Sequence, residues 1–111
     1  MKLTFAEHKI LENIHAEITE NFLNPISLKD LSLRYSISET KLTQGFRRIY
    51  NITVYGYYLE RRMYYAKNKL MKGADVREVA EALNYSSTSS FARAFRKVFP
   101  KAPGAYRYRT D

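Results

Sequence analysis

The chain has 111 residues, 45% of them hydrophobic, with a formal net charge of +8. That length suits one compact domain, or two very small lobes sharing a long element, and the apolar content suffices for a core. Cysteine is absent, which excludes zinc fingers and disulfide scaffolds, and no signal-peptide core or bilayer-length apolar run occurs, so a soluble intracellular chain is expected.

The charge is unevenly spread. Residues 1–28 sum to −2, residues 29–50 to +3, residues 51–73 to +4 and residues 74–111 to +3. Basic character confined to some elements suits a polyanionic partner. An anionic membrane surface would instead favour a basic amphipathic helix with a broad apolar face, which only the central helix approaches.

The first predicted helix runs from Phe5 to Phe22, with Leu11, Ile14, Ile18 and Phe22 as its core stripe. Glu7, Glu12, Glu17 and Glu20 are read as its outer face, a poor neighbour for phosphate. His8, Glu12 and His15 share a face and could in principle ligate a metal, but without a fourth ligand the expectation is ordinary exposed side chains and no metal or cofactor. Asn24-Pro25 ends the helix, because the residue before proline is biased away from helical geometry.

From Ser27 to Asn51 the pattern is two short helices around a tight turn. Ser27 can cap the first, with Asp30 placed to bond back. Leu28 and Leu31 recur at helical spacing, Ser32 is small, Ser36-Ile37-Ser38 breaks the pattern, and Ser38 can cap the second helix. There Leu42, Phe46 and Ile49 share a buried face, and the opposite face carries Thr40, Gln44, Arg47 and Arg48 with Thr43 on its flank. This is the helix-turn-helix pattern that enters a DNA major groove, although a merely solvated face reads the same way when it occurs once.

A long helix is expected from about Val54 to Lys72, buried along Leu59, Met63, Ala66 and Leu70 and ended by Gly73. Tyr55, Tyr57, Tyr58, Tyr64 and Tyr65 crowd it, and Arg61, Arg62, Lys67, Lys69 and Lys72 supply its charge. Such tyrosines can stack on single-stranded nucleic acid, but more often pack at a core edge with the hydroxyl wet.

Asp75 to Pro100 repeats the first pattern at an offset of 48 residues, then 49 after an insertion within Ser86–Ser90. Asp75, Glu78, Val76, Val79 and Ala80 fall on Ser27, Asp30, Leu28, Leu31 and Ser32. Phe91, Phe95, Val98 and Phe99 fall on Leu42, Phe46, Ile49 and Tyr50, and Ala94 falls on Gly45, a spot that calls for close packing. The outward face repeats as Ser89, Arg93, Arg96 and Lys97. Matching caps, core and outward faces make the duplication far more specific than either copy.

With both units in view, the chain resembles the DNA-binding domain of the AraC/XylS family of bacterial transcription regulators over about residues 6–109. The resemblance rests on PISLKDLS, RRMYYAKNKLM and DVREVAEALNYSSTSSFARAFRKVFPKAPGAYR, with a closing Pro103, Tyr106 and Arg107. Asn84 stands where the family usually has Gly, and Pro100 where Gly is common; Asn also tolerates left-handed geometry. The resemblance implies an all-α fold of about seven helices: an N-terminal helix and first lobe over 1–53, a linker helix over 54–73 and a second lobe over 74–111. It implies recognition helices in successive major grooves of double-stranded DNA. The base-facing residues are then Thr40, Thr43, Gln44 and Arg47, and Thr88, Ser89 and Arg93, with Arg48, Arg96 and Lys97 nearer phosphate. RNA polymerase is an implied partner and the nucleoid an implied location.

The run KLTQGFRRIYNITVYGYYLERRM also resembles the PchR-type, siderophore-responsive branch. There a small-molecule effector acts through a separate domain ahead of this one, whereas stand-alone family members are about this long. Among other classes, an enzyme lacks its parts here, having no Cys, no Gly-rich phosphate loop and no converging carboxylates. A purely structural bundle leaves the duplicated basic faces unexplained, and RNA binding would call for an aromatic sheet or a GXXG loop.

Overall fold

The computed structural model describes residues 2–109. The described residues form α1 (Phe5–Glu20), α2 (Leu28–Tyr35), α3 (Glu39–Tyr50), α4 (Val54–Met71), α5 (Val76–Ala82), α6 (Thr88–Arg96) and a 3-10 helix, Pro103–Tyr106. The fold is all-α, and none of these helices is long and apolar enough to cross a membrane. The chain divides within α4 into two compact units, one up to Tyr58 and the other from Leu59 onward.

In the first unit α1 starts at a complete capping box: Thr4 Oγ1 accepts from the Glu7 amide at 3.0 Å and Glu7 Oε1 from the Thr4 amide at 2.9 Å. The helix ends at Glu20, so Phe22 lies beyond it and is only half-buried, while Leu11, Ile14 and Ile18 fill the core as expected. They pack with Leu31, Ile37, Leu42, Phe46 and Val54. Gly45 is where α1 meets α3: a Cβ there would lie 2.7 Å from Leu11 Cδ1, which explains the mid-helix glycine.

Two of the four glutamates read as an outer face are not outward. Glu7 Oε2 pairs with Lys41 Nζ at 2.5 Å, and Glu17 receives both terminal nitrogens of Arg34, at 2.5 and 3.1 Å, and the Tyr35 hydroxyl at 2.6 Å. These bonds tie α1 to α3 and α2. Arg34 also donates to Asp30 at 2.8 Å, so Asp30 does not close a box with Ser27, whose hydroxyl alone caps α2. The expected His8-Glu12-His15 face is likewise broken up. His8 pairs with Glu12 at 3.0 Å, whereas the His15 ring is stacked between Tyr50 and Tyr57, with centroids at 4.1 and 4.3 Å.

Lys41 holds the Glu7 carboxyl below the usual carboxylate range, and the Arg34 guanidinium does the same to Glu17. The bond to Glu17 pushes the Tyr35 phenol up. A depressed carboxyl pKa adds stability that is fully present above its unfolded value, near 4.3, and is lost as pH falls through the folded value. Thermal unfolding should therefore move to lower temperature below about pH 4, the glutamate range. Glu17→Gln should start lower at pH 7 and fall less steeply; an identical pH profile for wild type and variant would refute the pairing.

The second unit packs Met63, Ala66 and Leu70 of α4 against Val79, Ala80, Leu83, Phe91, Phe95 and Phe99. Gly73, at φ +100°, lets the chain leave α4: its amide bonds the Leu70 carbonyl at 2.9 Å and the Ala74 amide the Lys69 carbonyl at 3.0 Å. Regular α6 ends at Arg96, and the amides of Lys97 and Val98 then reach three residues back, a tightening that fits the approach of Pro100. The closing motif docks here. Pro103 is buried, Tyr106 lies 5.6 Å from Phe95 and 5.8 Å from Phe99 between centroids, and Arg107 Nε donates to the Gly73 carbonyl at 3.4 Å. Arg62, read as helix surface charge, is buried instead.

The repeat also reaches further back than Ser27. The offset of 48 that carries Ser36 onto Asn84 carries Leu11, Ile14 and Ile18 of α1 onto Leu59, Arg62 and Ala66 of α4. Each unit is thus a three-helix unit in which a leading helix supports a helix-turn-helix.

Candidate nucleic-acid interface

Both turns are built the same way. The residue after the first helix is left-handed, Ser36 at φ 52° and Asn84 at φ 64°. Its successor's amide bonds back to the first helix, Ile37 to the Ser32 carbonyl at 3.1 Å and Tyr85 to the Ala80 carbonyl at 2.9 Å. Asparagine thus does replace the usual glycine. The second helix is then capped by serine in each unit: Ser38 accepts from the Lys41 amide at 3.1 Å, and Ser87 from the Ser90 amide at 3.0 Å. Since Ser36 matches Asn84 and Ser38 matches Ser87, the inserted residue is Ser86.

On α3, Leu42, Gly45 and Phe46 are buried, and Thr40, Gln44, Arg47 and Arg48 are exposed. At about 100° per residue, Thr40, Gln44 and Arg47 stand within a 60° arc opposite that core. Thr43 sits on one flank, and its hydroxyl donates to the Glu39 carbonyl at 2.9 Å, so its donor is spent within the helix. Arg48 sits on the other flank, beside Lys2, Leu3, His8 and Ile49.

On α6, Phe91 and Phe95 are buried, and Thr88, Ser89, Arg93, Arg96 and Lys97 are exposed. Ser89, Arg93 and Arg96 form the central arc, and Lys97 takes the flank that Arg48 takes on α3. Thr88, the first residue of the helix, lies off that arc and lines a groove with Arg77, Tyr85, Ser86 and Ser87. α6 carries no carboxylate, whereas α3 has Glu39 in its first turn. Each unit therefore presents a rigid helix, anchored by buried rings, whose outward face is hydrogen-bonding and cationic. Among the described residues no group of three His, Asp or Glu is placed to hold a metal ion.

What steadies the first turn is not legible from size and spacing: Ser32 is small, and its hydroxyl donates to the Ile37 carbonyl. Its position one turn before a break was the available signal.

This geometry defines a duplicated helix-turn-helix protein. The model of the helix-turn-helix domain family matches residues 31–109, and the chain belongs to that family. It is 28% identical over 105 residues to the regulatory protein SoxS of Escherichia coli (strain K12), spanning 94% of this chain and 98% of SoxS. Among solved structures, the C-terminal domain of the two-component response regulator yesN from Fusobacterium nucleatum is similar at a TM-score of 0.76 and 27% identity, covering 87% of this chain and 96% of that one. The DNA-binding domain of AdpA, solved with a target DNA, shares the fold at a TM-score of 0.77 and 22% identity, over 87% of this chain and 88% of that one. The AraC/XylS resemblance of the sequence is borne out.

Proposed function

We propose that this chain binds duplex DNA sequence-specifically as a bacterial AraC-family transcription regulator, with α3 and α6 each reading a major groove. The observation that carries this is the duplicated outward face, Thr40, Gln44 and Arg47 on one helix and Ser89, Arg93 and Arg96 on the other, each on a buried aromatic anchor. Because the faces differ, the two half-sites differ in sequence. Family membership supports a role in transcription rather than catalysis. RNA polymerase is the further partner we infer, at promoters where the chain acts as an activator in the cytoplasm, on the nucleoid. An effector, in the PchR-type organisation, acts through a separate domain, and these residues bind DNA with or without one.

Titration with duplex DNA, single-stranded DNA and RNA of matched length should show tightest binding to duplex, and selection from random duplexes should return a two-part site. On that site Gln44→Ala and Arg93→Ala should each erase roughly 1–3 kcal/mol of discrimination at one or two base pairs, in different halves. Arg48→Ala and Lys97→Ala should weaken all sequences about equally, as phosphate contacts do. Uniform behaviour of all four variants would show that the faces are misassigned.

A further inference from the structure

One charged side chain of the second unit lies inside its core: Arg62 of α4 is 7% exposed. Its Nη2 donates to the carbonyl of Leu83, at the end of α5, and its guanidinium carbon stands 5.3 Å from the centroid of the Tyr85 ring. Tyr85 packs in turn on Phe91 of α6, with centroids 5.7 Å apart. Arg62 thus holds the residues on both sides of the left-handed Asn84, Leu83 and Tyr85, from the buried side of the turn.

The internal repeat shows that the fold alone does not need a cation there. The residue at the position of Arg62 in the first unit is Ile14, and that at the position of Tyr85 is Ile37; both are buried in one apolar cluster. The first turn is held by a different device, the Ser32 hydroxyl on the Ile37 carbonyl. The counterpart of Ser32 is Ala80, which has no hydroxyl, and the second turn is longer by Ser86. The second unit therefore lacks the serine brace where its turn has more freedom. A guanidinium is suited to replace it: it is planar, so it stacks on a ring while donating in its own plane, and it meets the carbonyl end of a helix, where a cation is favoured.

We propose that Arg62 is a positioning residue for the second recognition helix: from inside the core it fixes the turn from Leu83 to Ser87, and through Tyr85 and Phe91 the angle at which α6 presents Ser89, Arg93 and Arg96. The proposal rests on the DNA-binding reading above, and its test has one arm that does not. In the full chain, Arg62→Met keeps an unbranched stem without the guanidinium, and Arg62→Ile with Tyr85→Ile copies the apolar pair of the first unit. Both variants should lose most of the base discrimination in the half-site read by α6, a roughly tenfold or greater drop, and keep it in the half-site read by α3. By hydrogen exchange, the amides of Asn84 and Tyr85 should exchange at least about tenfold faster, with Phe95 little changed, as for local opening. Adding Ala80→Ser to the isoleucine pair should restore both readouts in large part, because it supplies the brace of the first unit. Should Arg62→Met fail to fold, the isoleucine pair decides alone. Wild-type discrimination together with wild-type exchange in that pair would overturn the proposal, as would a loss spread equally over both half-sites and tracking the unfolded fraction. If wild type itself showed no duplex discrimination, the functional reading would fall while the exchange arm still judged the brace.

Discussion

Phe95→Ala should lower the free energy of unfolding by about 3–5 kcal/mol, the cost of emptying a fully buried aromatic site. Phe95 is 0% exposed and lies among Phe91, Phe99 and Tyr106, with ring centroids at 5.8, 4.9 and 5.6 Å. Small domains hold only about 5–15 kcal/mol in total, so the second unit should be left close to its unfolding transition at 25 °C. Leu33 provides the contrast, being equally apolar, also within a helix-turn-helix, but 70% exposed. Leu33→Ala should change stability by no more than about 0.5 kcal/mol. Urea titration of the two variants against wild type measures both values. Similar midpoints for the two would mean that the ring cluster is not the core of the second unit.

That contrast marks what the sequence could and could not show. Both recognition helices, the Ser38 cap of α3, the all-α class and the stripe of Met63, Ala66 and Leu70 in α4 follow from local periodicity and are where the sequence places them. Leu59 of that stripe, however, is only partly buried, and the α6 cap, Ser87, falls in the Ser86–Ser90 run, where spacing alone does not fix the register. Thr4-Phe5-Ala6-Glu7 is a capping box that follows from local sequence alone and starts α1. Other differences are tertiary. Whether Glu7 and Glu17 face water depends on Lys41 and Arg34, which are 34 and 17 residues away. Asp30 could bond back to Ser27 on local grounds, and Arg34 wins it because an ion pair is the stronger bond. His15 looked like an exposed partner of His8 until the rings of Tyr50 and Tyr57 closed on it. Tyr57 and Tyr58 pack at the edge of the core as expected, but their hydroxyls, expected to be wet, bond to protein instead, to Thr19 at 2.5 Å and to the Asn24 carbonyl at 2.9 Å. Arg62 was the hardest to place. Its position, three residues after Leu59 and four before Ala66, lies on the buried side of the helical wheel, but its charge argues for the surface, and the match to Ile14 marks the position as core. As for the recognition faces, exposure and register support them, while Thr88 lies away from the central arc and Thr43 has spent its donor.

Affinity for duplex DNA should fall steeply with salt, and the cations of the two recognition helices are expected to set most of the slope. Each phosphate neutralised contributes about −0.9 to the slope of log affinity against log salt. Arg47, Arg48, Arg93, Arg96 and Lys97 stand exposed on the two recognition helices, and further basic residues on neighbouring elements bring the expectation to about 5–8 phosphates. Between 50 and 200 mM salt the affinity should then drop by about 10³ to 10⁴. Not every surface cation counts toward this. Arg34 is committed to Glu17 and Asp30, and Lys41 to Glu7. Turning either toward a phosphate would leave its carboxylate without its partner, a cost that disfavours the contact. As exposed cations on the flank of the recognition faces, Arg48 and Lys97 should each, when replaced by alanine, make the slope shallower by about 1, with the loss of affinity shrinking as salt rises. Arg34→Ala should leave the slope where it was, even if it loosens the packing of α2 on α1. Equilibrium titrations at four or five salt concentrations give all four slopes. A wild-type slope near zero would remove the electrostatic basis of the DNA-binding reading, and a shallower slope in Arg34→Ala would place the contact surface on α2 rather than on the recognition helices.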